Sequence, residues 1–373
     1  MERVLVIGGG IIGTMHAYLA LEKGLEVIQV ERDPEPSSAS VRNFGLIWVS
    51  GRAVGRELQL ALRSRELWEE IGTKVGTIGY RSNGSITIAS NAAEWEVMNR
   101  AAAMPDALQR GFELLTQEEV QKLEPSLQGK FLGGLLCSKD AAVEPNLLLK
   151  GLRAYLSNHP SYTWRPNFEV KNYNYSEGSH TILSENGERL SGDRVVFAVG
   201  AMHEGFLAPH FEGAPIRKVH LQMAETAAVP FTLKHSIADG DSLRYYPAFK
   251  DLGLDDLAPQ SKIAEQYKMQ LLLVQRDNGG FTIGDTHEYA EPFSHVIEEE
   301  PYIHLQRVIS TIFGAPTLPI VRRWTGVYSQ STSSDIYFRK EINPGAVIVT
   351  GGGGRGNTLS ASIAEETMSS WAK

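Results

Sequence analysis

A glycine loop between two short apolar strands is the feature that most constrains the fold of this chain. Residues 3–7 are apolar and rich in β-branched side chains, as in a strand buried on both faces of a parallel sheet. Residues 8–13 read Gly-Gly-Gly-Ile-Ile-Gly and satisfy G-x-G-x-x-G. A helical pattern then runs to the glycine at position 24, and a second strand at 26–30 ends on Glu31. This order predicts a βαβ dinucleotide-binding unit.

Each part of this unit has a physical role. Gly8 permits the tight turn, Gly10 lets the backbone approach a pyrophosphate, and Gly13 lets the helix pack closely on the strand. The helix N-terminus presents free amides and a positive dipole end to the phosphates. Glu31 can accept hydrogen bonds from a ribose hydroxyl. A glycine-rich turn that binds no nucleotide is the alternative. The cofactor contacts predicted here are Gly8, Gly10, Ile11, Ile12, Gly13, Glu31 and Arg32.

A second glycine-rich turn lies near the C-terminal end. A β-branched strand at 347–350 precedes five glycines within residues 351–356, and a helical pattern follows at 359–365. Backbone amides in such a turn can approach a flavin ring and its ribityl chain. The first motif alone does not choose between FAD and NAD, but an NAD-dependent dehydrogenase would leave the second turn unexplained. A mobile loop is the other interpretation of this segment.

Composition narrows the class of protein. The length of 373 residues predicts two domains. A net charge of -8 disfavours a nucleic-acid binder, which needs a basic face. Cys137 is the single cysteine, so no disulfide and no metal site is predicted. The sequence shows no signal peptide and no apolar run of about 20 residues, which predicts a cytoplasmic protein with no membrane partner.

Further segments resemble the D-amino-acid oxidase and glycine oxidase family. Residues 34–45 are similar to the loop that runs beside the FAD pyrophosphate and flavin in that family, and residues 80–86 to the strand that opens its substrate domain. Residues 141–146 resemble the turn back into the FAD domain, and 195–201 the strand that passes the cofactor. The resemblance implies FAD held non-covalently, because the C-terminal third has no cysteine. It adds as predicted cofactor contacts Ser40, Arg42, Asn43, Phe44, Gly45, Val170, Ala198, Gly200, Gly352, Gly353, Gly354, Arg355, Gly356, Asn357 and Thr358.

The fold class implied is α/β (α+β overall), with a Rossmann-like FAD-binding domain and a second, mostly antiparallel β substrate domain. The FAD domain is predicted to be discontinuous, and the substrate domain to be inserted into it. The predicted ranges are 1–79, 142–218 and 322–373 for the first and 80–141 and 219–321 for the second.

One departure from the family pattern concerns the substrate. Relatives that oxidise amino acids hold the carboxylate with an arginine two residues after the glycine of a Trp-x-Gly motif. Here Trp324-Thr325-Gly326 is followed by Val327 and Tyr328. A tyrosine offers one neutral hydrogen bond, whereas an arginine offers a charge-assisted pair. An ordinary α-amino acid is therefore expected to be a poor substrate unless another cation takes over.

Several other side chains are candidates for that anchor. Arg52 and His287 are favoured by position, and Arg322, Arg323 and Arg355 remain open. For each, a solvated charge or a structural ion pair is the alternative. Aromatic residues can form a wall or gate of the pocket, or can simply pack together. The predicted substrate-binding residues are Arg52, His287, Tyr328, Trp48, Tyr246 and Arg323, with Tyr245 as a further wall residue.

The family resemblance implies a reaction in which hydride leaves the carbon that bears nitrogen and the flavin accepts it. The imine then hydrolyses to an aldehyde or oxo acid, and oxygen is the expected acceptor, giving hydrogen peroxide. Residues 44–48 and 351–357 resemble a branch of the family associated with phosphonate breakdown. This favours 2-aminoethylphosphonate or its N-methyl form as substrate. The alternatives are glycine, sarcosine or a D-amino acid, a flavin dehydrogenase with another electron acceptor, and a nucleotide-binding module without catalysis. No acid–base residue is predicted.

Overall fold

A computed structural model describes residues 1–371 of the chain. Nineteen strands are present in this range: β1 Arg3–Ile7, β2 Glu26–Val30, β3 Leu46–Ile47, β4 Ser85–Ala89, β5 Phe112–Thr116, β6 Gly133–Cys137, β7 Ala141–Ala142, β8 Tyr162–Arg165, β9 Val170–Ser176, β10 Ser179–Ser184, β11 Arg189–Gly192, β12 Arg194–Phe197, β13 Ile216–Thr226, β14 Ser236–Ala238, β15 Leu272–Gln275, β16 Phe281–Gly284, β17 Ile320–Ser331, β18 Phe338–Asn343 and β19 Ala346–Thr350.

The same residues form eleven α-helices: α1 Ile11–Glu22, α2 Arg56–Lys74, α3 Ala92–Ala102, α4 Ala107–Arg110, α5 Gln117–Leu123, α6 Pro145–Leu156, α7 Ala208–Phe211, α8 Ser242–Tyr245, α9 Lys262–Tyr267, α10 Glu300–Phe313 and α11 Gly356–Trp371.

A six-stranded sheet has the order β18-β19-β12-β1-β2-β8 and is parallel except for the edge pair β18–β19. The central strand β1 is fully buried from Val4 to Val6, as its apolar sequence predicts. The βαβ unit β1–α1–β2 forms as expected, and the helices α1 and α11 pack in one apolar core against the sheet. Because the strands are parallel, their C-terminal ends lie along one edge, which is where open α/β sheets bind ligands.

An eight-stranded sheet has the order β17-β13-β16-β15-β14-β4-β6-β5 and is antiparallel except for the pair β14–β4. The Asp277-Asn278-Gly279-Gly280 segment between two apolar runs predicts a hairpin, and β15 and β16 do pair, with Leu272 opposite Gly284 and Gln275 opposite Phe281. Helix α10 covers one face of this sheet. The mixed α/β fold class is therefore confirmed. The remaining strands form a three-stranded sheet, β11-β10-β9, and the pair β3-β7.

The predicted division into domains stays a prediction. Strands β13 and β17 cross its boundaries at 218/219 and 321/322, and they pair with each other over most of their length within the eight-stranded sheet. Both predicted boundaries therefore fall inside long strands of the eight-stranded sheet rather than at a linker. Among the described residues, no helix combines the length and the apolar character that crossing a membrane requires.

Helix α2 contacts the start of α11, which comes from the other end of the sequence. The sequence predicts a helix from about 55 to 72, and the structure has it from Arg56 to Lys74. Trp68 on this helix is fully buried, and its indole N–H donates to the carbonyl of Asn357 over 2.9 Å. The start of α11, beside the second glycine turn, is thereby fixed to the N-terminal half of the core.

Candidate active site

One large cavity, of about 1310 Å³, lies between the two large sheets. The C-terminal ends of β1, β2, β12 and β19 contribute one side of it, and β13, β15 and β17 contribute the other. This is the location expected for a ligand of a parallel α/β sheet. Both glycine turns open into the same cavity, so a single long ligand can contact both.

The first glycine turn is packed too tightly for side chains. Gly8 has φ of +114°, and a Cβ there would lie 2.4 Å from the carbonyl oxygen of Ala198. A Cβ on Gly13 would lie 2.1 Å from the carbonyl oxygen of Gly8, so glycine at this position lets α1 pack against β1. Gly10 faces the cavity, where a Cβ would lie 3.0 Å from Oγ of Ser40. These contacts account for glycine at positions 8 and 13 by backbone packing, while the approach of Gly10 to a pyrophosphate stays a prediction.

Polar groups around this turn are arranged for a nucleotide. The backbone amide of Gly9 donates to Oε2 of Glu31 over 2.7 Å, which holds the carboxylate at the end of β2 and beside the turn. Oγ of Ser40 accepts a hydrogen bond from the amide of Ile11 at 3.0 Å. The Ser40 hydroxyl proton therefore stays available to a phosphate oxygen at the N-terminus of α1.

The second glycine turn is connected to the N-terminal loop by side chains. Nδ2 of Asn357 donates to Oδ1 of Asn43 over 2.8 Å, and the same oxygen accepts the amide of Gly45 at 2.7 Å. The amide of Trp48 donates to Oγ1 of Thr358 over 2.8 Å. The two ends of the chain thus form one continuous wall of the cavity. Gly352, Gly353, Gly354 and Gly356 give this wall no side-chain bulk, which fits a planar ring system lying against the backbone.

Most predicted cofactor contacts lie on the cavity surface. Three of them lie behind it: Gly13 and Gly45 are sites of close backbone packing, and Thr358 supports the loop of Trp48. Arg42 lines the cavity, but its guanidinium also donates to backbone carbonyls of Ser37 and Thr325. Those that line the cavity are Gly8, Gly10, Ile11, Ile12, Glu31, Arg32, Ser40, Arg42, Asn43, Phe44, Val170, Ala198, Gly200, Gly352, Gly353, Gly354, Arg355, Gly356 and Asn357.

Two arginines share one carboxylate at the cavity wall. The NH1 atoms of Arg52 and Arg355 each lie 3.4 Å from Oε1 of Glu57. Arg52 and Glu57 are buried, and Nε of Arg52 donates to the carbonyl of Trp48 over 2.8 Å. Burial lowers the pKa of Arg355, while Glu57 acts in the opposite direction, and a guanidinium remains charged in either case. Two positive charges against one negative charge leave a net charge of +1 in this cluster, with Arg52 buried and Arg355 partly exposed.

An aromatic wall adjoins this cluster. The guanidinium of Arg52 lies over the ring of Tyr246, 5.4 Å from its centroid, and the ring of Tyr246 is 5.8 Å from that of Trp48. The ring of Tyr245 meets that of Tyr246 edge-on at 5.1 Å. Both tyrosines line the cavity, and burial raises the pKa of each hydroxyl. They are therefore neutral hydrogen-bonding groups at physiological pH.

His287 is held in a defined orientation by two hydrogen bonds. Its Nδ1 lies 2.8 Å from the carbonyl oxygen of Lys268, and its Nε2 lies 2.8 Å from the hydroxyl of Tyr245. A carbonyl oxygen only accepts, so Nδ1 carries the proton in the neutral ring, and Nε2 accepts from Tyr245. His287 thus lines the cavity with both ring nitrogens already engaged, and it holds the hydroxyl of Tyr245 in place.

Four buried polar atoms on residues that line the cavity have no hydrogen-bond partner within residues 1–371: Nε1 of Trp48, the hydroxyl of Tyr328, Oδ1 of Asp285 and Oε1 of Gln270. Buried polar groups normally find partners in proteins. The four atoms supply two donors and two acceptors to a polar ligand. Tyr328, which stands at the position of the family arginine, lies with its hydroxyl 3.9 Å from where a Cβ of Gly354 would be.

Arg323 is not brought into the cavity. Its Nε lies 3.0 Å from Oε1 of Glu299, and its guanidinium lies over the ring of Tyr302 at 5.2 Å from the centroid. Because strand side chains alternate between faces, Arg323 and Tyr328 lie on opposite faces of β17, and only Tyr328 lines the cavity. Arg322 pairs with Glu225 at 3.0 Å and likewise does not line the cavity.

Sequence reasoning missed Glu57, Asp285 and Gln270. Glu57 stands in the first turn of α2, where an acidic residue is explained by the helix dipole alone. Asp285 did carry a signal, because it follows the apolar strand β16 directly and lies two residues before His287. A carboxylate at a strand end that faces a cavity is a candidate ligand-binding group.

The fold and the cavity together define a dinucleotide-binding α/β protein in which glycine turns from both ends of the chain line one cavity. The family model described as "FAD dependent oxidoreductase" (DAO) matches residues 3–369, and the chain belongs to this family. The chain is accordingly an oxidoreductase, and its cofactor is FAD.

Individual relatives are more distant. One of the subunits of an opine oxidase from Rhizobium meliloti is 27% identical over 229 residues, which are 55% of this chain and 57% of that protein. Its counterpart in the opine oxidase of Agrobacterium tumefaciens (strain Ach5) is 22% identical over 357 residues, 92% of this chain and 86% of that protein. Glycine oxidase of Bacillus cereus ATCC 14579 has a similar structure, with a TM-score of 0.79 and 20% identity over 100% of this chain and 95% of that one. This likeness shows the shared fold.

Proposed function

We propose that the protein is an FAD-dependent oxidase of a small acidic amine, with an aminophosphonate such as 2-aminoethylphosphonate or its N-methyl form as the favoured substrate. The observation that carries the proposal is the pair Arg52 and Arg355 around the single carboxylate of Glu57, beside a tyrosine at position 328. When bound, FAD accepts a hydride from the carbon that bears nitrogen. The protein has to bind, orient and enclose the amine.

The net positive charge of Arg52, Arg355 and Glu57 suits an acid with more than one negative charge. A carboxylate has two oxygens and a charge of −1, whereas a phosphonate has three oxygens and, like a phosphate monoester, carries a charge of about −1.5 to −2 near pH 7. The hydroxyl of Tyr328 and Nε1 of Trp48 are two further donors on residues that line the same cavity, and neither has a hydrogen-bond partner within residues 1–371. Two guanidiniums and two neutral donors can together satisfy three oxygens.

The enclosure of the site supports oxidation of a bound amine. The walls are Trp48, Tyr245, Tyr246 and His287, which line the cavity and are packed against each other. Aromatic side chains exclude water from the carbon that loses hydride. They have few rotatable bonds, so they lose little conformational entropy when the substrate binds. The relatives named opine oxidase and glycine oxidase also support an amine as substrate.

The test is anaerobic reduction of the yellow holoenzyme by five candidate amines: 2-aminoethylphosphonate, N-methyl-2-aminoethylphosphonate, sarcosine, glycine and D-alanine. We expect flavin absorbance near 450 nm to bleach rapidly with the two phosphonates and slowly with the carboxylates. Peroxide measured after oxygen is admitted separates an oxidase from a dehydrogenase that uses another acceptor. Bleaching by the carboxylates alone would refute the aminophosphonate, and no bleaching by any of the five would refute the activity.

A further inference from the structure

Asp285 is a buried carboxylate that faces the cavity and has no assigned role. It directly follows the last residue of β16 and is 8% exposed. Its Oδ1 has no hydrogen-bond partner within residues 1–371. Burial raises the pKa of this carboxyl, and His287 opposes the shift. A buried carboxylate normally has a cation beside it or several hydrogen-bond donors.

No lysine or arginine within residues 1–371 forms an ion pair with Asp285. Within residues 1–371, the one ion-pair neighbour of Asp285 is His287, whose Nε2 is 3.7 Å from Oδ2. Both ring nitrogens of His287 are already within hydrogen-bond distance of other groups, the carbonyl of Lys268 and the hydroxyl of Tyr245, and neither bonds to Asp285. The Lys268 ammonium lies on the ring of Tyr289, at 4.6 Å, rather than on Asp285.

Four tyrosines from three other parts of the chain line the same cavity as Asp285. Tyr245 and Tyr246 come from the end of α8, Tyr289 from the loop after His287, and Tyr328 from β17; the charge of Asp285 raises the pKa of each hydroxyl, after burial as the larger cause. The guanidinium of Arg217 lies on the outer ring, that of Tyr289, at 3.8 Å. Aromatic rings around a carboxylate form a site for an ammonium ion, since ring faces and carboxylate both attract positive charge.

We propose that Asp285 binds the ammonium group of the substrate and accepts one proton from it before oxidation. The inference rests on the proposed function, because it concerns the amine end of the same substrate whose acid end lies at Arg52 and Arg355. When the hydroxyl of Tyr245 donates to Nε2 of His287, its oxygen can accept a second N–H of the substrate. The cavity therefore has a cationic wall for the acid and an anionic wall for the amine.

The proton transfer balances without another reactant. The ammonium R-CH2-NH3⁺ gives one proton to Asp285, which becomes a neutral carboxylic acid, and the substrate becomes R-CH2-NH2 with a free lone pair. Only this neutral amine can release a hydride from its carbon to form the iminium R-CH=NH2⁺. A carboxyl with a raised pKa is a better proton acceptor for this purpose than an ordinary exposed aspartate. The same applies to an N-methyl amine, which still carries a proton on nitrogen.

The first experiment is the pH dependence of anaerobic flavin reduction at saturating 2-aminoethylphosphonate. We expect the unsubstituted holoenzyme to show a plateau above the pKa of Asp285. Asp285→Asn should be slower at pH 7 by about a hundredfold or more. Its rate should rise about tenfold per pH unit and approach the plateau near the amine's own pKa, about 10. Asp285→Glu should recover part of the plateau.

The matched control is Asp239→Asn. Asp239 is also a buried aspartate with an unpartnered Oδ1 and a pKa raised by burial, but it does not line the cavity. We expect its pH profile to match that of the unsubstituted enzyme. A rate for Asp285→Asn that is unchanged, or reduced by the same factor at every pH, would overturn the proposal.

The second experiment measures binding without oxidation. Titration calorimetry of the holoenzyme with methylammonium and, separately, with methylphosphonate reports on the two ends of the site. We expect Asp285→Asn to weaken methylammonium binding about tenfold or more and to leave methylphosphonate binding within about threefold, consistent with loss of a charged partner. Equal effects on both ligands, or none, would overturn the proposal. Failure of the amines to bleach the unsubstituted enzyme would instead refute the proposed function, and this binding result would still decide the role of Asp285.

Discussion

Arg52 and Arg355 stand 303 positions apart in the chain, yet their NH1 atoms each lie 3.4 Å from the same carboxylate oxygen, Oε1 of Glu57. Each guanidinium also has a backbone anchor: Arg52 donates to the carbonyl of Trp48, and Arg355 donates to that of Gly352. The pair is therefore ordered before any ligand binds. An anion that enters the cavity meets preorganised donors, which lowers the entropy cost of binding it.

Removing either guanidinium should weaken binding of the acidic amine. We expect Arg52→Gln and Arg355→Gln each to raise KM for 2-aminoethylphosphonate about 10- to 100-fold, as is typical for loss of a hydrogen bond to a charged group. kcat should fall less, because the amine end remains in place. Steady-state kinetics measure both values. The control is Arg100→Gln, a surface arginine paired with Glu96 and Asp256, which should change neither; an unchanged KM in both cavity variants would remove the pair from the site.

Glu57 should limit the affinity of the site for anions. In Glu57→Gln the two guanidiniums lose their shared counter-charge, so methylphosphonate should bind about threefold to tenfold more tightly. The folded protein should become less stable, because two buried like charges now face each other. Calorimetric titration and thermal denaturation measure the two effects. Weaker anion binding would show that Glu57 positions the arginines rather than opposing their charge.

The hydrogen bond between Asn357 and Asn43 should contribute to FAD affinity, since it joins the two cofactor-facing segments. We expect Asn357→Ala to raise the dissociation constant for FAD about threefold to tenfold, as for one net hydrogen bond. Reconstitution of the apoprotein with FAD, followed by flavin fluorescence, measures this constant. Asn91→Ala serves as the comparison because Asn91 caps α3 by accepting the amide of Glu94, away from the cavity. It should lower stability and leave FAD affinity unchanged, so an equal loss in both variants would contradict the assignment.

The ionised carboxylate of Asp285 should destabilise the folded state at neutral pH. Its folded pKa is raised, so the folded state holds the carboxyl proton more tightly than the unfolded chain, where the pKa is about 3.9. The stabilising contribution of the protonated Asp285 carboxyl is therefore fully present below the unfolded pKa and is lost as pH rises through the folded pKa. Asp285→Asn should therefore raise the melting temperature of the substrate-free holoenzyme by about 1–3 °C at pH 8, with a smaller gain at pH 4. A lower melting temperature at pH 8 would show that the carboxylate is in a stabilising ion pair.

The cofactor half of the site could be predicted from local sequence. The roles of Gly8, Gly10 and Gly13 follow from backbone geometry within one βαβ unit, and the second turn at 351–356 has the same strand–turn–helix order. These signals are contained in short segments, and the structure places both turns on one cavity. Gly45 and Thr358 are predicted as cofactor contacts but lie just behind the cavity wall. Their positions depend on packing against residues distant in sequence, which a local motif does not reveal.

The substrate half depends on contacts between distant parts of the chain. Position 328 is identified by a motif, but the motif does not show that Arg355 and Arg52 meet at Glu57. Arg323 is predicted for the site as a cation that directly precedes Trp324, but it lies on the face of β17 opposite to Tyr328. His287 is predicted as an anchor for the substrate acid, but sequence alone does not show that its two ring nitrogens contact the carbonyl of Lys268 and the hydroxyl of Tyr245. Such pairings are decided by tertiary packing and have no local signature.

The most direct measurement compares two substrates that differ only in their acid group, 2-aminoethylphosphonate and 3-aminopropanoate, in anaerobic flavin reduction by the unsubstituted holoenzyme. Both place one acid two carbons from a primary amine, so any difference reports on the wall of Arg52, Arg355 and Tyr328. We expect the apparent second-order rate constant of flavin reduction, measured at low substrate concentration, to be at least about tenfold higher for the phosphonate. A tenfold ratio corresponds to about 1.4 kcal/mol. Equal rates, or a preference for the carboxylate, would contradict this expectation.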